Sequence, residues 1–375
     1  NLQIAAAGST RISQLYAETD GGVVRGSLNL GWPADPARSD FDLTAKGTNL
    51  AKVMPATGSY KPAAVAFDIT ARGTLNKQQV DIPQLTAKLG GAQVSMQGHL
   101  DFSDSIRSNG AVIKASGPRI SDLGTLEAWS FPEERFDLIA TVAGAADKLD
   151  IRDFSLKSGP SDLHGSVQVT RRDKPRIKII ASSKQLDTRP FEELYFGTTP
   201  PVLGDPQAGE TSAAKKPPKP RLIPDEPVPL KLLDSFDGSL QLTIAQLTSS
   251  RNVFQNLNIK AKLTDGNLDF AGTSSFSKSG NLQIELQLQQ KKGRMPHVEL
   301  TATGRNVQYE LNRLNPSMQG YNLIQNIDAK LAGDGEDLRE IIGKVDGYLW
   351  LRGGSQQIAT NQFGFLLGDL ISGVI

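Results

Sequence analysis

Apolar residues recur at every second position over long stretches of this chain, as in Val94-Ser-Met96-Gln-Gly98-His-Leu100 and Leu282-Gln-Ile284-Glu-Leu286-Gln-Leu288. Period-two alternation gives a β-strand one apolar and one polar face, so the pattern predicts half-covered strands along most of the sequence. Helical periodicity is weak. Short candidates at Ser121–Trp129, Asp187–Phe196 (Pro190 suits an early helical turn) and Asp337–Ile342 punctuate strands rather than forming a layer.

The strand pattern repeats. Val80-Asp-Ile82-Pro-Gln-Leu85-Thr-Ala87-Lys88 matches Leu149-Asp-Ile151-Arg-Asp-Phe154-Ser-Leu156-Lys157 with an offset of 69 residues. Ile12, Leu15 and Ala17 carry the same spacing 70 residues upstream, and Phe254, Leu257 and Ile259 carry it 103 residues downstream of the 151 copy. Each copy continues into an alternating strand that holds a glycine: Gly26, Gly98, Gly165 or Gly272. A further strand then enters a short turn or helix carrying leucine or phenylalanine, as in Asp40–Ala45 into Asn49 and Leu50, and Arg176–Ile179 into Asp187 and Phe191. The last copy reads His297–Ala302 into Asn306 and Leu311. Another strand precedes each motif, at Phe67–Ala71, Phe136–Ala140 and Leu240–Ile244. The predicted unit is four strands plus a short connector every ~70 residues.

Within the motif, the step from Ile82 to Leu85 and from Ile151 to Phe154 breaks the period of two. An extra residue is needed if both side chains are to share a face, and a β-bulge supplies one. Pro83 fits such a site because it donates no ladder hydrogen bond.

Residues 200–229 hold nine of the 21 prolines and no apolar periodicity. Such a segment buries too little surface to order itself, and it reads as a long loop. The expected organisation is therefore N-terminal repeats at 1–196, a Pro-rich linker at 197–230 and C-terminal repeats at 231–375, in one elongated body. The chain starts at Asn1 inside a strand pattern and reads as part of something longer. No run of ~18 apolar residues is present, and Phe363–Ile375 is expected to form an amphipathic terminal helix or turn.

Composition sharpens this mainly by exclusion. With 41 basic and 40 acidic residues, the chain lacks the basic excess of a nucleic-acid groove, so no nucleic-acid partner is expected. Zero cysteine removes disulfides and thiolate metal sites. His99, His164 and His297 are few and scattered, and read as surface strand residues rather than metal ligands. Glu133-Glu134 and Glu192-Glu193 are adjacent pairs that suit solvated turns better than paired catalytic carboxylates. Gly21-Gly22, Gly90-Gly91 and Gly353-Gly354 read as hairpin turns, since no long helix follows to complete a phosphate loop. No cofactor, metal or catalytic residue is nominated. Basic pairs at turns, Arg171-Arg172 and Lys291-Lys292, read as solvated charge, with contact to anionic headgroups as the alternative.

What stands out is collective: an apolar stripe of Ile82, Leu85, Ala87, Leu89, Val94, Met96, Leu100, Ile151, Phe154, Leu156, Val167, Val169, Leu257, Ile259, Leu282, Ile284, Leu286 and Leu288. A closed β-sandwich or solenoid with a dry core would bury it. A twisted antiparallel sheet forming an open groove would line itself with it. Four strands per unit leave little for a second layer, which favours the groove.

The stretch from Leu163-His-Gly165-Ser-Val167-Gln-Val169 through Arg176-Ile-Lys-Ile179 to Leu186-Asp187 resembles the AsmA family of Gram-negative envelope proteins, relatives of TamB and YhdP. Leu331-Ala-Gly333-Asp-Gly335-Glu-Asp337-Leu338, Gly343-Lys-Val345-Asp-Gly347-Tyr-Leu349, Gly353-Gly354 and Phe363-Gly-Phe365-Leu366 are similar to the end of the AsmA C-terminal region. The resemblance implies a mainly β, non-enzymatic body in the periplasm, anchored to the inner membrane through an N-terminal segment missing from this chain. It further implies that phospholipid or another acyl lipid is carried along an apolar groove in outer-membrane assembly or homeostasis, with envelope proteins as further partners.

Overall fold

In the computed structural model the described residues are 2–5, 9–30, 39–54, 60–76, 79–101, 110–126, 130–145, 147–196, 230–249, 253–276, 280–290, 295–310, 322–336 and 338–353. The expected linker, apart from residue 230 at its end, and the expected terminal helix at 363–375 lie outside them. The chain forms two compact units, Asn1–Tyr195 and Phe196–Ile375, and both are β-sheet structures with a few short helices.

The first unit contains β1 (Leu2–Ala5), β2 (Ser9–Thr19), β3 (Gly22–Leu30), β4 (Ser39–Gly47), α1 (Leu50–Val53), β5 (Tyr60–Lys61), β6 (Phe67–Asn76), β7 (Gln79–Leu89), β8 (Ala92–Asp101), β9 (Gly110–Gly117), a 3-10 turn (Ile120–Leu123), β10 (Thr125–Leu126), β11 (Phe136–Ala145), β12 (Lys148–Ser158), β13 (Ser161–Thr170), β14 (Arg176–Asp187) and α2 (Arg189–Phe196). Apart from the two-residue pair β5 and β10, every strand lies antiparallel beside its neighbour in sequence. The second unit contains α3 (Leu230–Ser235), β15 (Asp237–Thr248), β16 (Val253–Thr264), β17 (Asn267–Phe276), β18 (Gly280–Gln289), β19 (His297–Glu310), β20 (Asn322–Asp334), α4 (Leu338–Gly343) and β21 (Asp346–Gly353), again an antiparallel meander.

The expected bulges are present. The ladder slips between Ile12 and Leu15, Ile82 and Leu85, and Ile151 and Phe154, and between Gln255 and Asn258 in the fourth copy. Asp153 and Asn256 take the extra step in the left-handed region, at φ 49° and 50°, where short polar side chains are tolerated best. The recurring glycines sit across the ladder from these slips: Gly26 opposite Leu15, Gly98 opposite Ile82, Gly165 opposite Phe154 and Gly272 opposite Ile259. Close approach explains three of them, Gly26 included, where a Cβ would fall 2.1 Å from the Asp42 carbonyl oxygen. A Cβ on Gly98, whose φ is 148°, would fall 2.4 Å from the Ala111 Cα, and one on Gly165 would fall 2.1 Å from the Ile180 carbonyl oxygen.

Three sequence expectations need correction. The helix expected at Ser121–Trp129 is only the 3-10 turn Ile120–Leu123, because Gly124 (φ 115°) redirects the chain into β10, which pairs with β5. The strand expected to stop before a turn at Asn306 runs unbroken to Glu310, and Asn306 (φ 49°) makes a further bulge between Gly304 and Val307. The last repeat also holds one more strand than expected, since β18 stands between the Gly272 strand and His297. The other two helices form close to their expected places, as α2 and α4.

Gly165→Ala is expected to destabilise the protein by roughly 1–3 kcal/mol, because β14 must move to admit the methyl group. Gly343→Ala, with no atom within 4 Å of the new carbon, is expected to be close to neutral. Denaturant unfolding of the two variants side by side checks this.

Candidate functional site: an apolar sheet face with unequal rims

The bulges keep each apolar residue in step with the next strand. In the first unit one cross-strand row runs Ala17, Val24, Ala45, Ile69, Ala87, Val94, Ala115, Leu138, Leu156 and Leu163, apolar at every step over ten strands. A second row links Ile82, Gly98, Ala111, Val142, Ile151, Val167 and Ile179. In the second unit Leu242, Ile259, Gly272, Ile284, Ala302, Ala329 and Leu349 form a row across all seven strands.

All eighteen residues of the expected stripe fall on the apolar face of their own unit, twelve in the first and six in the second. Ala87, Leu89 and Leu288 are buried, and the other fifteen are half-buried. Within neither unit does a second large sheet pack over this face, so among the described residues the sandwich expectation is not met. Sequence reading missed much of the face, above all the alanines of β9 and β11. Ala111, Ala115 and Ala140 are 0–7% exposed. Alanine carries little pattern signal, and only the register shows that these residues continue the rows.

The two ends of the strands differ. Within each unit the described helices lie at one end of that unit's strands, together with the turns at Asp20-Gly21, Gly90-Gly91 and Gly159-Pro160 in the first and Asp265-Gly266 in the second. At this connector rim, Leu50 of α1 packs with Phe67, Ala87 and Leu89, while Phe136 packs with Ala92 and Ala115 beside Ile120 and Leu123. Polar ties hold the rim. The buried Asp122 carboxylate accepts the Gly91 N–H at 2.8 Å and pairs with Arg119 at 2.9 Å, and Tyr60 donates its hydroxyl to the Leu123 carbonyl at 2.7 Å. In the second unit α4 buries Ile341, and Glu340 pairs with Lys344.

At the corner joining β13, β14 and α2, two carboxylates are held as anions. The Arg189 guanidinium grips the buried Asp187 at 2.9 and 2.5 Å and keeps its carboxyl below the usual carboxylate range, against the effect of burial. Burial pushes the Asp162 carboxyl up, but N–H groups of Gln185 and Lys184, each at 2.9 Å, prevail and leave it lowered.

The opposite face is polar. Lys46, Asp68, Lys88, Gln93, Ser116, Asp137, Lys157 and Asp162 form one of its rows, with charges largely alternating in sign, and the Lys46–Asp68 contact is 2.8 Å. A shallow hollow of about 570 Å³ lies on this face, with Lys88, Lys114 and Asp137 among its walls. Being wide open, it suits a solvated charge ladder better than an enclosed ligand site. The histidines carry acidic neighbours: His99 lies 2.5 Å from Asp81, His164 3.2 Å from Asp162, and His297 2.9 Å from Asp334. Among the described residues, no group of three His, Cys, Asp or Glu side chains could hold a metal, and no helix is long and apolar enough to cross a membrane.

Stability conferred by Asp162 and Asp187 is fully present above the unfolded carboxyl pKa of about 4 and is lost as pH falls through their lowered folded values. Thermal unfolding followed from pH 6 to pH 2 is therefore expected to show a steep acid loss, and Asp187→Asn to flatten it while lowering stability at pH 6.

Comparison with known proteins finds no family model, no curated protein and no solved structure that matches this chain.

Proposed function

We propose that this chain is the lipid-holding body of an AsmA-like envelope protein, non-enzymatic and periplasmic, which carries acyl chains of phospholipid along its apolar sheet face. The single observation that carries the reading is the unbroken apolar row over ten strands of the first unit, half-buried along most of its length without a second sheet above it. A large apolar face left without a protein layer is the surface on which an apolar ligand gains most. Anchoring to the inner membrane, through a segment outside this chain, and a place in outer-membrane assembly belong to the same reading. They rest on the family resemblance alone.

The dimensions are compatible. One leaflet's acyl chain is ~15 Å, half of a bilayer's hydrocarbon core, and strands lie ~4.8 Å apart, so a chain lying along a row crosses roughly three or four strands. Burying sixteen carbons at about 0.8 kcal/mol per methylene gains on the order of 10 kcal/mol. Valine, isoleucine, leucine and alanine line the rows without deep pockets, which lets a chain slide between equivalent positions.

The alternative is a scaffold that stays dry, favoured by the buried cluster of Leu50, Phe67 and Leu89 at the connector rim. Lipid extraction separates the two. Purified protein is expected to yield phospholipid on solvent extraction, and a photo-crosslinker at Leu85 or Phe154 to capture it. Val167→Glu, within a row, is expected to lower the bound lipid several-fold, and Ser95→Glu, on the polar face, to leave it unchanged. Protein that carries no lipid, with no capture at either position, would sink the reading.

A further inference from the structure

The rim opposite the helices differs in charge as well as in cover, and at one place it is strongly basic. At the β13–β14 turn the chain presents Arg171, Arg172, Lys174 and Arg176, and Lys148 at the start of β12 joins them through the pairs Lys148–Thr170 and Thr170–Arg176. The Arg171 N–H donates to the Asp147 carbonyl at 2.6 Å, which fixes the turn against β12. Asp147 and Asp173 are the carboxylates within this set, so five cations against two anions leave three net positive charges on a chain whose total is +1.

Lys148, Arg171, Arg172 and Arg176 are exposed, and their side chains make no hydrogen bond or ion pair with described residues. The connector rim is built differently, with its charges closed on themselves as Asp20–Lys52, Arg119–Asp122 and Asp187–Arg189. Immediately inside the basic turn the apolar rows begin. Leu149, Val169 and Ile177 pair across β12, β13 and β14, followed by Ile151, Val167 and Ile179, and all six are half-buried. Lys148 and Arg176 share a polar-face row with Thr170, while Arg171 and Arg172 lie on the turn itself, where the apolar rows end. Uncompensated guanidinium groups at the end of an apolar row match an amphiphile whose head is an anion.

We propose that this turn is a headgroup site that selects glycerophospholipids of net negative charge, with the acyl chains on the rows of β12–β14, the phosphodiester on Arg171 and Arg172, and Lys148 and Arg176 adding positive charge at the same rim. The proposal rests on the lipid-holding reading and adds a substrate class to it. Zwitterionic lipids carry an ammonium group that the same cations repel. Lipids therefore enter with their heads at the turn rim, since the connector rim is covered and its charges are paired.

The test loads purified protein from vesicles containing phosphatidylethanolamine, phosphatidylcholine and phosphatidylglycerol in equal parts. The protein is re-isolated by gel filtration and its lipid is quantified by mass spectrometry. The wild type is expected to enrich phosphatidylglycerol on the order of fivefold, as charge-assisted contacts predict. The variant Lys148→Gln/Arg171→Gln/Arg172→Gln/Arg176→Gln is expected to hold as much lipid in total with enrichment near one. Arg171→Lys/Arg172→Lys/Arg176→Lys, which keeps the charge, is expected to retain most of the preference. Lipid held without preference by the wild type, or a preference surviving in the glutamine variant, overturns the headgroup site and leaves the lipid-holding reading standing. No lipid in any of the proteins overturns both. Flotation with phosphatidylglycerol vesicles covers the remaining source of an anionic surface. If the glutamine variant loses only vesicle binding while its held lipid is unchanged, the cations address a bilayer and the proposal falls.

Discussion

A β-strand shows its side chains to two faces in turn, and a sheet with one apolar face must have that face covered or leave it for something else to cover. The rest of this structure depends on that constraint. Each unit is a single antiparallel meander in which hydrogen bonding is satisfied between consecutive strands, while no second large sheet closes the apolar side. Phase is therefore the quantity the sequence must protect. One unpaired slip in a strand would turn its leucines into the polar layer and break every row that crosses it. The bulges before Leu85, Phe154 and Leu257 each absorb one residue, and opposite the first two Gly98 and Gly165 let the following strand pass close by.

Covering is then shared unequally. At its connector rim each unit supplies its own cover, the first through Leu50 and Leu123, fastened by Asp122 and Tyr60, and the second through Ile341. Away from that rim the rows are largely half-buried, with Ala111 in the first unit and Val307 and Ile327 in the second among the buried exceptions. The polar face needs no cover, because its charges largely alternate in sign from strand to strand. A structure arranged in this way has one surface whose solvation is unfavourable and which the chain does not resolve by itself.

Much of this could be read from the residues. Strict alternation made the strands legible, and the recurrence of Ile82-x-x-Leu85 at four places made the bulges legible before any coordinates. The eighteen stripe residues share a face because period and phase are both visible in large aliphatic side chains. What escaped had weaker signals. The alanines of β9 and β11 continue the rows without looking hydrophobic enough to mark a face. Asn306 looked like a turn residue, whereas an asparagine at φ 49° serves equally well inside a bulged strand. Gly124 overrode the helical look of 121–129 because the pairing of β10 with β5 decided that connector. The glycines were visible as a recurrence, but the reason for Gly26, Gly98 and Gly165, a neighbouring backbone 2.1–2.4 Å from a Cβ, is a tertiary fact.

The strict order of the meander has a further consequence. Apart from the small β5–β10 pair, each described strand pairs with the strand before or after it in the chain. Loop closure is correspondingly cheap in entropy, and a β-protein of this kind escapes part of the slow search that sandwiches and barrels undergo. Each hairpin can settle on the one made before it while the remainder is still being synthesised. For the same reason the array has no set length. A block of four strands can be inserted with two new strand-to-strand junctions to satisfy, or lost with one, so the number of strands is a quantity that duplication alone can adjust.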